Sequence, residues 1–470
     1  MILMREINKN FIYNVLYQIF IYIIPLLTVP YISRILGANN IGVYSYTYSI
    51  VYYFMLVGML GINNYGSRKI ARFSHDKKEM SKEFISIYLL QLFLSLLMII
   101  CYLIIIMLFF KNYKMIFGIQ VIYLISVVFD INWFYFGIEK FKITISRNII
   151  IKVLSLILIF TLVKTENDLW IYTLIVSGST LISQLYLWLF IHKYIMPVKV
   201  SFKDVFSHFK KCVILFIPVI AYSIYRVMDK TMLGLISGTL ELGYYENAEK
   251  IINIPISFIT ALGTVMLPHM SKLKSDEIKL AIESSFELCF CFVMPMIFGL
   301  FIISSDFSIM FFGNEFYKTG TIIKLLIPTI LFSAITNVIR TNYLIPQEKD
   351  SIYVKSTIYG AITNLIFNSI FIPKYGAYGA CIGTLIAEFS VMIYQIINVK
   401  KEIDFKKVFK IMFVYIIKSL VMSIFMIIVG LSFKNQYIRL ILQFIMAPII
   451  YIISIHKYII YDFLGKKVTK

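Results

Sequence analysis

Fourteen apolar stretches, each about as long as a membrane-spanning helix, account for most of this 470-residue chain. A helix needs about 20 mostly apolar residues to cross about 30 Å of hydrocarbon. Hydrophobic residues make up 60% of the chain and charged residues 15%, and the mean hydropathy of +0.83 far exceeds that of water-soluble domains. The pattern therefore predicts an all-α polytopic membrane protein with about 14 transmembrane helices. The predicted spans are 11–32, 41–63, 84–110, 115–136, 143–163, 169–191, 212–236, 244–268, 286–303, 320–345, 352–372, 377–398, 411–431 and 437–460.

Positive charges lie mostly in alternate loops between these spans. If the N-terminus is cytoplasmic, 28 of the 45 Lys and Arg residues fall at the inner side and seven fall at the outer side. Short basic loops remain on the cytoplasmic side of a membrane during insertion. We therefore expect both termini in the cytoplasm. The net charge of +20 then reflects orientation and attraction to anionic headgroups, and we expect no nucleic-acid partner.

Motifs of several other protein classes are missing from the sequence. There is no G-x-x-x-x-G-K-[ST] loop, so an ATP site of that kind is not expected. The five cysteines lie in or at the ends of apolar spans, which indicates small core residues rather than disulfides. No metal-ligand spacing and no catalytic arrangement is evident, so we expect neither an enzyme nor a bound metal or organic cofactor.

A short motif occurs twice in the chain. Gly37–Tyr44 and Gly238–Tyr245 both read G-x-x-x-[IL]-G-x-Y, and each follows a long apolar span. Six spans separate the copies, which predicts two parallel six-helix lobes related about an axis normal to the membrane. We place the N-terminal lobe at 1–198, the C-terminal lobe at 199–403, and two additional C-terminal helices at 404–470. Two such lobes around a central cavity are a common plan of membrane transporters.

Charged residues interrupt the seventh and eighth spans. A charge within a span costs at least about 2.5–3.5 kcal/mol on insertion scales, so each needs a structural or functional reason. Arg226, Asp229 and Lys230 share one helix face, and the eighth span carries three charges at the same spacing. These three are Glu246, Glu249 and Lys250. In one interpretation Arg226 and Lys230 bind an anionic group while Asp229 and Glu249 balance charge or carry a proton. In the other, all six, Glu246 included, form a closed salt-bridge lock. The two are compatible, since a transporter can use ion pairs that break and re-form between states.

Other spans contain isolated charges. We expect Asp130 to pair with Arg147 or Lys152, with Arg147 snorkelling to the headgroups and Lys152 as the better cavity candidate. Arg34 is either a topological anchor or a cation of the cavity. Glu388, in the middle of the twelfth span, is expected to face inward and to be titratable.

Two further features allow a simple interpretation. Tyr44, Tyr46, Tyr48, Tyr52 and Tyr53 cluster in the second span, as in an ordinary interfacial tyrosine belt, with sugar stacking as the alternative. Lys418, in the thirteenth span, is expected to contact lipid phosphate.

Several segments resemble the Wzx-type polysaccharide repeat-unit flippases of the multidrug/oligosaccharidyl-lipid/polysaccharide exporter superfamily. The matching segments are Thr28–Gly37 (TVPYISRILG), Ile41–Ser45, Gly61–Gly66, Met228–Gly234 and Gly243–Ala248. Chain length, fourteen spans and the repeat agree with that family over essentially the full chain. The family's arginines inside the first span have no counterpart here, since Arg34 is the only charge near that helix.

The resemblance implies transport of an undecaprenyl-diphosphate-linked oligosaccharide across the bacterial cytoplasmic membrane by alternating access, for O-antigen or capsule synthesis. It further implies a cationic cavity, an ion gradient or membrane potential as the energy source, and membrane lipids and polysaccharide polymerase machinery as partners. Alternatives within the superfamily are a flippase for lipid-linked peptidoglycan precursors and a cation-coupled drug or metabolite exporter, which typically has only twelve spans. A polysaccharide polymerase should have a larger external loop, and a purely structural scaffold would not need the charges of the seventh span.

Overall fold

The computed structural model describes residues 2–271, 273 and 275–458, and within these ranges every regular element is helical. Side chains are described except at 2–23, 25, 218, 221, 222, 224, 225, 265, 268, 269, 275, 276, 457 and 458. Lys272, the C-terminal lysines and the last two residues of the predicted span 437–460 lie outside the described residues. The predicted all-α fold class is confirmed.

Sixteen α-helices follow one another along the described chain. They are α1 (Ile2–Met59), α2 (Ile62–Phe73), α3 (Lys77–Phe109), α4 (Lys114–Val128), α5 (Asn132–Gly137), α6 (Phe141–Leu162), α7 (Leu169–Ile191), α8 (Phe202–Phe206), α9 (Phe209–Ile236), α10 (Thr239–Met270), α11 (Ser275–Phe312), α12 (Tyr317–Ile339), α13 (Asp350–Tyr375), α14 (Ala377–Val399), α15 (Phe405–Ser432) and α16 (Gln436–Tyr458).

Ten helical segments of the described chain are long and apolar enough to cross a membrane. One of them, Leu26–Phe73, includes part of the first predicted span and all of the second. Another, Lys114–Gly137, contains the break between α4 and α5. The chain is thus a multi-pass membrane protein, and the figure of fourteen crossings stays a prediction.

The two copies of the repeated motif begin with similar backbone turns. Gly37 interrupts α1 with φ 72° and ψ 172°, and Gly238 lies between α9 and α10 with φ 90°. Glycine adopts such positive φ values without the steric cost of a side chain. The expected outer loop between the first two spans is therefore reduced to this single non-helical residue.

Contacts divide the chain into two compact units. The first extends to Gly243 and the second begins at Tyr244. The first unit thus contains α1 to α9 and the first turn of α10, whereas the second contains the rest of α10 and α11 to α16. The two lobes and the additional C-terminal helices are placed from the repeat rather than from contacts. Their bounds at 1–198, 199–403 and 404–470 stay predictions.

Within the first unit, the repeated motifs pack against each other reciprocally. A methyl group on Gly42 would overlap the carbonyl oxygen of Thr239, and one on Gly243 would overlap the carbonyl oxygen of Ala38. Ala38 and Thr239 occupy equivalent positions of the two copies, as do Gly42 and Gly243. The Thr239 hydroxyl also donates a hydrogen bond to Asn39 Oδ1 over 2.6 Å. The repeat is therefore a mutual contact of two turns.

Polar contacts also join the elements at the opposite end of the first unit. His208, which precedes α9, accepts or donates a 2.8 Å hydrogen bond with the hydroxyl of Tyr65 on α2. Its Nε2 lies 3.6 Å from Glu83 of α3, which also forms a 3.0 Å ion pair with Lys69 of α2. Three helices thus converge on one buried histidine.

In the second unit, α15 and α16 are held against α11 by polar groups as well as apolar ones. Lys407 pairs with Glu283 over 3.2 Å, and Tyr451 donates a 2.7 Å hydrogen bond to the Cys291 carbonyl oxygen. Arg439 and Asp306 form a further ion pair. Lys418 Nζ is buried above the ring of Tyr415, 5.4 Å from its centroid. The expected contact of Lys418 with lipid phosphate is therefore wrong, because its ammonium group is buried within the second unit.

Candidate site: polar groups within the membrane helices

The fourth span breaks at Phe129–Ile131, and neighbouring side chains satisfy the freed backbone groups. Gln91 of α3 donates to the carbonyl oxygens of Val127 (2.7 Å) and Asp130 (2.8 Å), and Trp188 of α7 donates to that of Phe129 (2.9 Å). Inside a membrane, non-helical backbone persists only where protein or water meets its hydrogen bonds. The break is therefore a built feature of the first unit.

Asp130 lies at this break and is linked to Arg147 through Asn132. The Asp130 carboxylate accepts hydrogen bonds from the Asn132 backbone amide (2.9 Å) and side-chain amide (2.6 Å). The Asn132 oxygen in turn accepts a 3.0 Å hydrogen bond from Arg147 Nη2. The expected connection between Asp130 and a cation of the fifth span thus runs through a neutral amide. The sequence D-x-N within an apolar span was the available signal for it.

Arg147 does not snorkel, which corrects the expectation from the sequence. Its side chain is 3% exposed and donates to the Ser183 carbonyl oxygen (3.0 Å), to Asn148 (2.8 Å) and to Asn132 (3.0 Å). Gln184 also lies 3.5 Å from Nη1. Because these acceptors replace water around the guanidinium, Arg147 can be buried without extending its side chain to the lipid headgroups.

The two other cations proposed for the cavity differ in exposure. Lys152, four residues after Asn148 on α6, is partly buried, and Arg34 of α1 is exposed.

The three charges of the seventh span lie on α9 in the first unit. Asp229 is 5% exposed, whereas Arg226 and Lys230 are each partly buried. Next to them, the hydroxyl of Thr231 donates to Ser49 of α1 over 2.9 Å. The structure thus places two cations on either side of a buried carboxylate, on a helix that also contacts α1.

The remaining acidic candidates lie in the second unit. Glu246 and Lys250 form an i, i+4 ion pair of 3.8 Å on α10, and Glu249 is partly buried beside them. Glu388 of α14 is 8% exposed and accepts a 3.1 Å hydrogen bond from Ser333 of α12. Glu388 is inward-facing as expected, while its titration and the meeting of the two charge sets stay predictions.

Tyrosines form a ladder on the second half of α1. Tyr44, Tyr48 and Tyr52, defined here as the tyrosine stripe, have successive ring centroids 6.0 and 6.1 Å apart. The hydroxyl of Tyr123 on α4 lies 2.7 Å from that of Tyr44. The ring centroid of Tyr172 on α7 lies 5.0 Å from that of Tyr44. The sequence showed the tyrosine cluster, whereas its contacts with α4 and α7 could only come from the fold.

Matches to known proteins agree with this fold. A family model described as "Polysaccharide biosynthesis protein" matches residues 7–274, more than half of the chain, and one described as "Lipid II flippase MurJ" matches residues 152–448. Together with the all-helical membrane fold, they define a flippase-type transporter of the multidrug/oligosaccharidyl-lipid/polysaccharide exporter superfamily. The chain belongs to the polysaccharide biosynthesis protein family, which confirms the resemblance found in the sequence.

Two curated relatives illustrate the range of similarity. The chain is 25% identical to the "Putative O-antigen transporter" of Shigella dysenteriae over 389 residues, which cover 81% of this chain and 96% of the relative. It is also 25% identical over 255 residues to the capsular polysaccharide biosynthesis protein CapF of Staphylococcus aureus, covering 52% of this chain and 63% of that protein.

Solved structures share the fold at lower sequence identity. A lipid II flippase MurJ in an inward closed conformation superimposes with a TM-score of 0.74 at 20% identity, covering 96% of this chain and 99% of that one. An inward-facing MATE family multidrug resistance transporter gives a TM-score of 0.57 at 14% identity, covering 81% and 98% of the two chains. These likenesses establish the fold of the chain.

Proposed function

We propose that this protein is a flippase that moves lipid-linked oligosaccharides from the cytoplasmic to the outer leaflet of the bacterial cytoplasmic membrane. The substrate class is an undecaprenyl-diphosphate-linked repeat unit for O-antigen or capsule synthesis. Membership in the polysaccharide biosynthesis protein family and the names of the curated relatives support this class. The protein acts by transport rather than catalysis, with both termini in the cytoplasm.

The observation that carries this proposal is the pair of cations on α9. Arg226 and Lys230 lie one helical turn apart and flank the buried Asp229 within an otherwise apolar helix. Cations at such positions are expensive unless they face protein or a polar cavity. A diphosphate is doubly anionic or more, so two cations one turn apart suit it through charge-assisted hydrogen bonds.

Coupling to an ion gradient or to the membrane potential would supply the energy. Asp229 and Glu388 are the carboxylates most withdrawn from solvent among the candidates, and Asp130, Glu246 and Glu249 are the others. Lys152 and Arg34 are additional cations for the passage of the substrate.

Deletion of the gene tests the proposal directly. We expect complete undecaprenyl-diphosphate-linked repeat units to accumulate at the inner leaflet while the surface polysaccharide disappears. Both phenotypes should be reversed by the wild-type gene. Unchanged lipid intermediates and intact polymer in the deletion strain would refute the proposal.

Variants of α9 separate binding from a static lock. Arg226→Ala should abolish polysaccharide export while the protein remains inserted, whereas Arg72→Ala, on the exposed side of α2, should export normally. If Arg226 and Asp229 form only a lock, exchanging the two residues should restore the function that either single change destroys. Failure of the exchange, with full loss in Arg226→Ala, supports a role in binding.

A lipid II flippase is the second candidate, because a family model of that description matches residues 152–448. The two candidates differ in their lipid-linked glycan. Two results together would favour the second candidate. Expression of this chain would support growth of a strain depleted of its peptidoglycan-precursor flippase, and it would not restore surface polysaccharide in the deletion strain.

A further inference from the structure

Between Ile41 and Val51, α1 has a single accessible stripe, and that stripe is made of tyrosines. Between Ile41 and Val51 every residue is buried except Tyr44 and Tyr48, and Tyr52 continues the series on the next turn. A spacing of four residues places all three on one helix face. Protein therefore surrounds this part of α1 on every side but one.

The composition of the stripe distinguishes it from the lipid-facing surfaces of the same unit. Between Leu89 and Phe109 of α3 and between Ile150 and Leu158 of α6, every exposed position carries an aliphatic or thioether side chain or a phenylalanine. They include Phe93, Leu97, Ile100, Ile104, Met107, Ile150, Leu154 and Ile157. A hydroxyl gains nothing by facing hydrocarbon, and the hydroxyls of Tyr44 and Tyr52 instead lie against the polar groups of Tyr123 and Ser223. Three successive tyrosines therefore indicate a polar space next to α1 rather than lipid.

An interfacial tyrosine belt does not account for the stripe. Eight residues of helix extend about 12 Å along the axis. A bilayer is about 40–45 Å thick in total and its hydrocarbon core is about 30 Å thick. The headgroup region on each side is therefore only about 5–7 Å thick. A stripe of this length on a helix that spans the membrane must extend into the hydrocarbon layer.

Polar groups from two other helices, α4 and α9, border the stripe. Tyr123 places its ring 5.1 Å from that of Tyr48 and its hydroxyl 2.7 Å from that of Tyr44. At the other end, the hydroxyl of Tyr52 lies 3.5 Å from Ser223 of α9. Arg226 follows Ser223 by three residues, on the same face of α9. The stripe therefore ends beside the cations assigned to the diphosphate.

We propose that the tyrosine stripe binds the sugar rings of the transported lipid-linked oligosaccharide. This inference rests on the proposed flippase function and assigns the glycan to α1 and the diphosphate to α9. Tyrosine suits the task because its ring face packs against the C–H face of a pyranose while its hydroxyl hydrogen-bonds the sugar hydroxyls. Aromatic faces tolerate many ring stereochemistries, as they tolerate different bases in single-stranded nucleic acids, so the stripe favours sugar passage over strict selection.

Binding by purified protein tests the assignment. The probes are lipid-linked oligosaccharide extracted from the deletion strain and undecaprenyl diphosphate without sugar. We expect Tyr48→Leu combined with Tyr52→Leu to weaken oligosaccharide-lipid binding at least tenfold and to leave undecaprenyl diphosphate binding unchanged. Tyr48→Phe combined with Tyr52→Phe should stay within threefold of wild type, because the ring faces remain. Tyr359→Leu, at an exposed position of α13, serves as the matched control.

The two probes separate failure of this inference from failure of the proposed function. If the leucine variant binds both probes like wild type, or loses both equally, the stripe does not bind sugar although the flippase assignment stands. If wild-type protein does not bind the oligosaccharide lipid, the proposed function falls and the inference falls with it.

A second measurement covers the case in which the leucine variant does not fold. Tyr48→Trp keeps an aromatic ring in the stripe and adds a fluorophore to the three tryptophans already present. Its fluorescence, after subtraction of the wild-type signal, should change on addition of the oligosaccharide lipid and stay constant with undecaprenyl diphosphate. Equal responses to both probes, or none, would overturn the inference.

Discussion

A guanidinium group stays charged away from water only where fixed acceptors replace its hydration. Arg147 meets this condition, because its donors reach Asn132, Asn148 and the Ser183 carbonyl oxygen, which come from three helices. Arginine is suited to such a position since its planar fork presents five donors at fixed angles. Arg147 therefore holds α5, α6 and α7 together at the break of the fourth span.

Removal of this side chain should destabilise the first unit. In Arg147→Ala, buried acceptors lose their partner, which costs about 1–3 kcal/mol for a neutral group left unsatisfied. We expect a lower Tm for the purified protein in detergent. Arg147→Lys should recover only part of the loss, because one ammonium cannot reach all the acceptors. Arg72→Ala, on the exposed face of α2, is the control, and a Tm of Arg147→Ala equal to wild type would contradict the prediction.

His208 introduces a pH dependence at the buried contact between α2, α3 and the start of α9. Burial holds the pKa of His208 below its ordinary value, although the nearby Glu83 acts in the opposite direction. Neutral His208 can accept at Nδ1 a hydrogen bond from the Tyr65 hydroxyl, 2.8 Å away. The charged groups that act on it are Glu83, Lys69, Lys211 and Asp204.

Stability should therefore fall as the pH drops through the ordinary histidine range. Because the folded pKa is depressed, the unfolded chain takes up the proton first, at about pH 6.5, and this favours unfolding at lower pH. We expect the Tm to decrease between pH 7.5 and 5.5, and His208→Gln to remove part of that decrease. His75→Gln, at an exposed position, should leave the pH profile as in wild type. Identical profiles for His208→Gln and wild type would exclude this histidine as the source.

At the scale of elements, the repeated motif has a packing role that its sequence did not disclose. Spacing and glycine content predicted two similar turns, and both Gly37 and Gly238 have positive φ. That each copy packs on the other follows only from the fold, since the two lie 201 residues apart. The helix break at Asp130 also depends on the fold. An apolar run in the sequence indicates a span, but it does not show which neighbouring side chains hydrogen-bond the backbone where the helix is interrupted.

Alanine in place of Gly42 or Gly243 should push the two turns apart. Gly42→Ala and Gly243→Ala each place a methyl group on a backbone oxygen of the other motif, and overpacking of this kind typically costs about 1–3 kcal/mol. The two variants should lower the Tm by similar amounts, and their effects should not add, because they act on one contact. Gly118→Ala, in α4 with open space around it, should be neutral or stabilising. If Gly42→Ala and Gly243→Ala lower the Tm no more than Gly118→Ala does, the contact between the two turns does not contribute to stability.

At the scale of the whole molecule, charge distribution predicts the orientation in the membrane. The loop at His75 lies among basic residues of the predicted inner side, and the loop at Asn112 lies on the predicted outer side. Both residues are exposed. Opposite faces for the two loops follow from the positive-inside rule if α3 crosses the membrane.

Cysteine labelling checks this orientation. In a background with the five native cysteines replaced, we expect Asn112→Cys to react in intact cells with a thiol reagent that cannot cross the membrane. His75→Cys should react only after the cells are permeabilised. Labelling of His75→Cys in intact cells, with protection of Asn112→Cys, would mean that the termini lie outside and would reverse the direction proposed for transport.

The sequence by itself determined that the chain is an all-helical membrane protein of this superfamily and where its intramembrane charges lie. Those properties are local: without water, each backbone segment must satisfy its own hydrogen bonds as a helix, so apolar length alone indicates a span. Tertiary structure decided that Arg147 and the Lys418 ammonium are buried, that the repeated glycines meet, and that tyrosines form an accessible stripe along part of α1. These depend on which helix faces touch, and contacts between residues up to two hundred positions apart cannot be read from local composition.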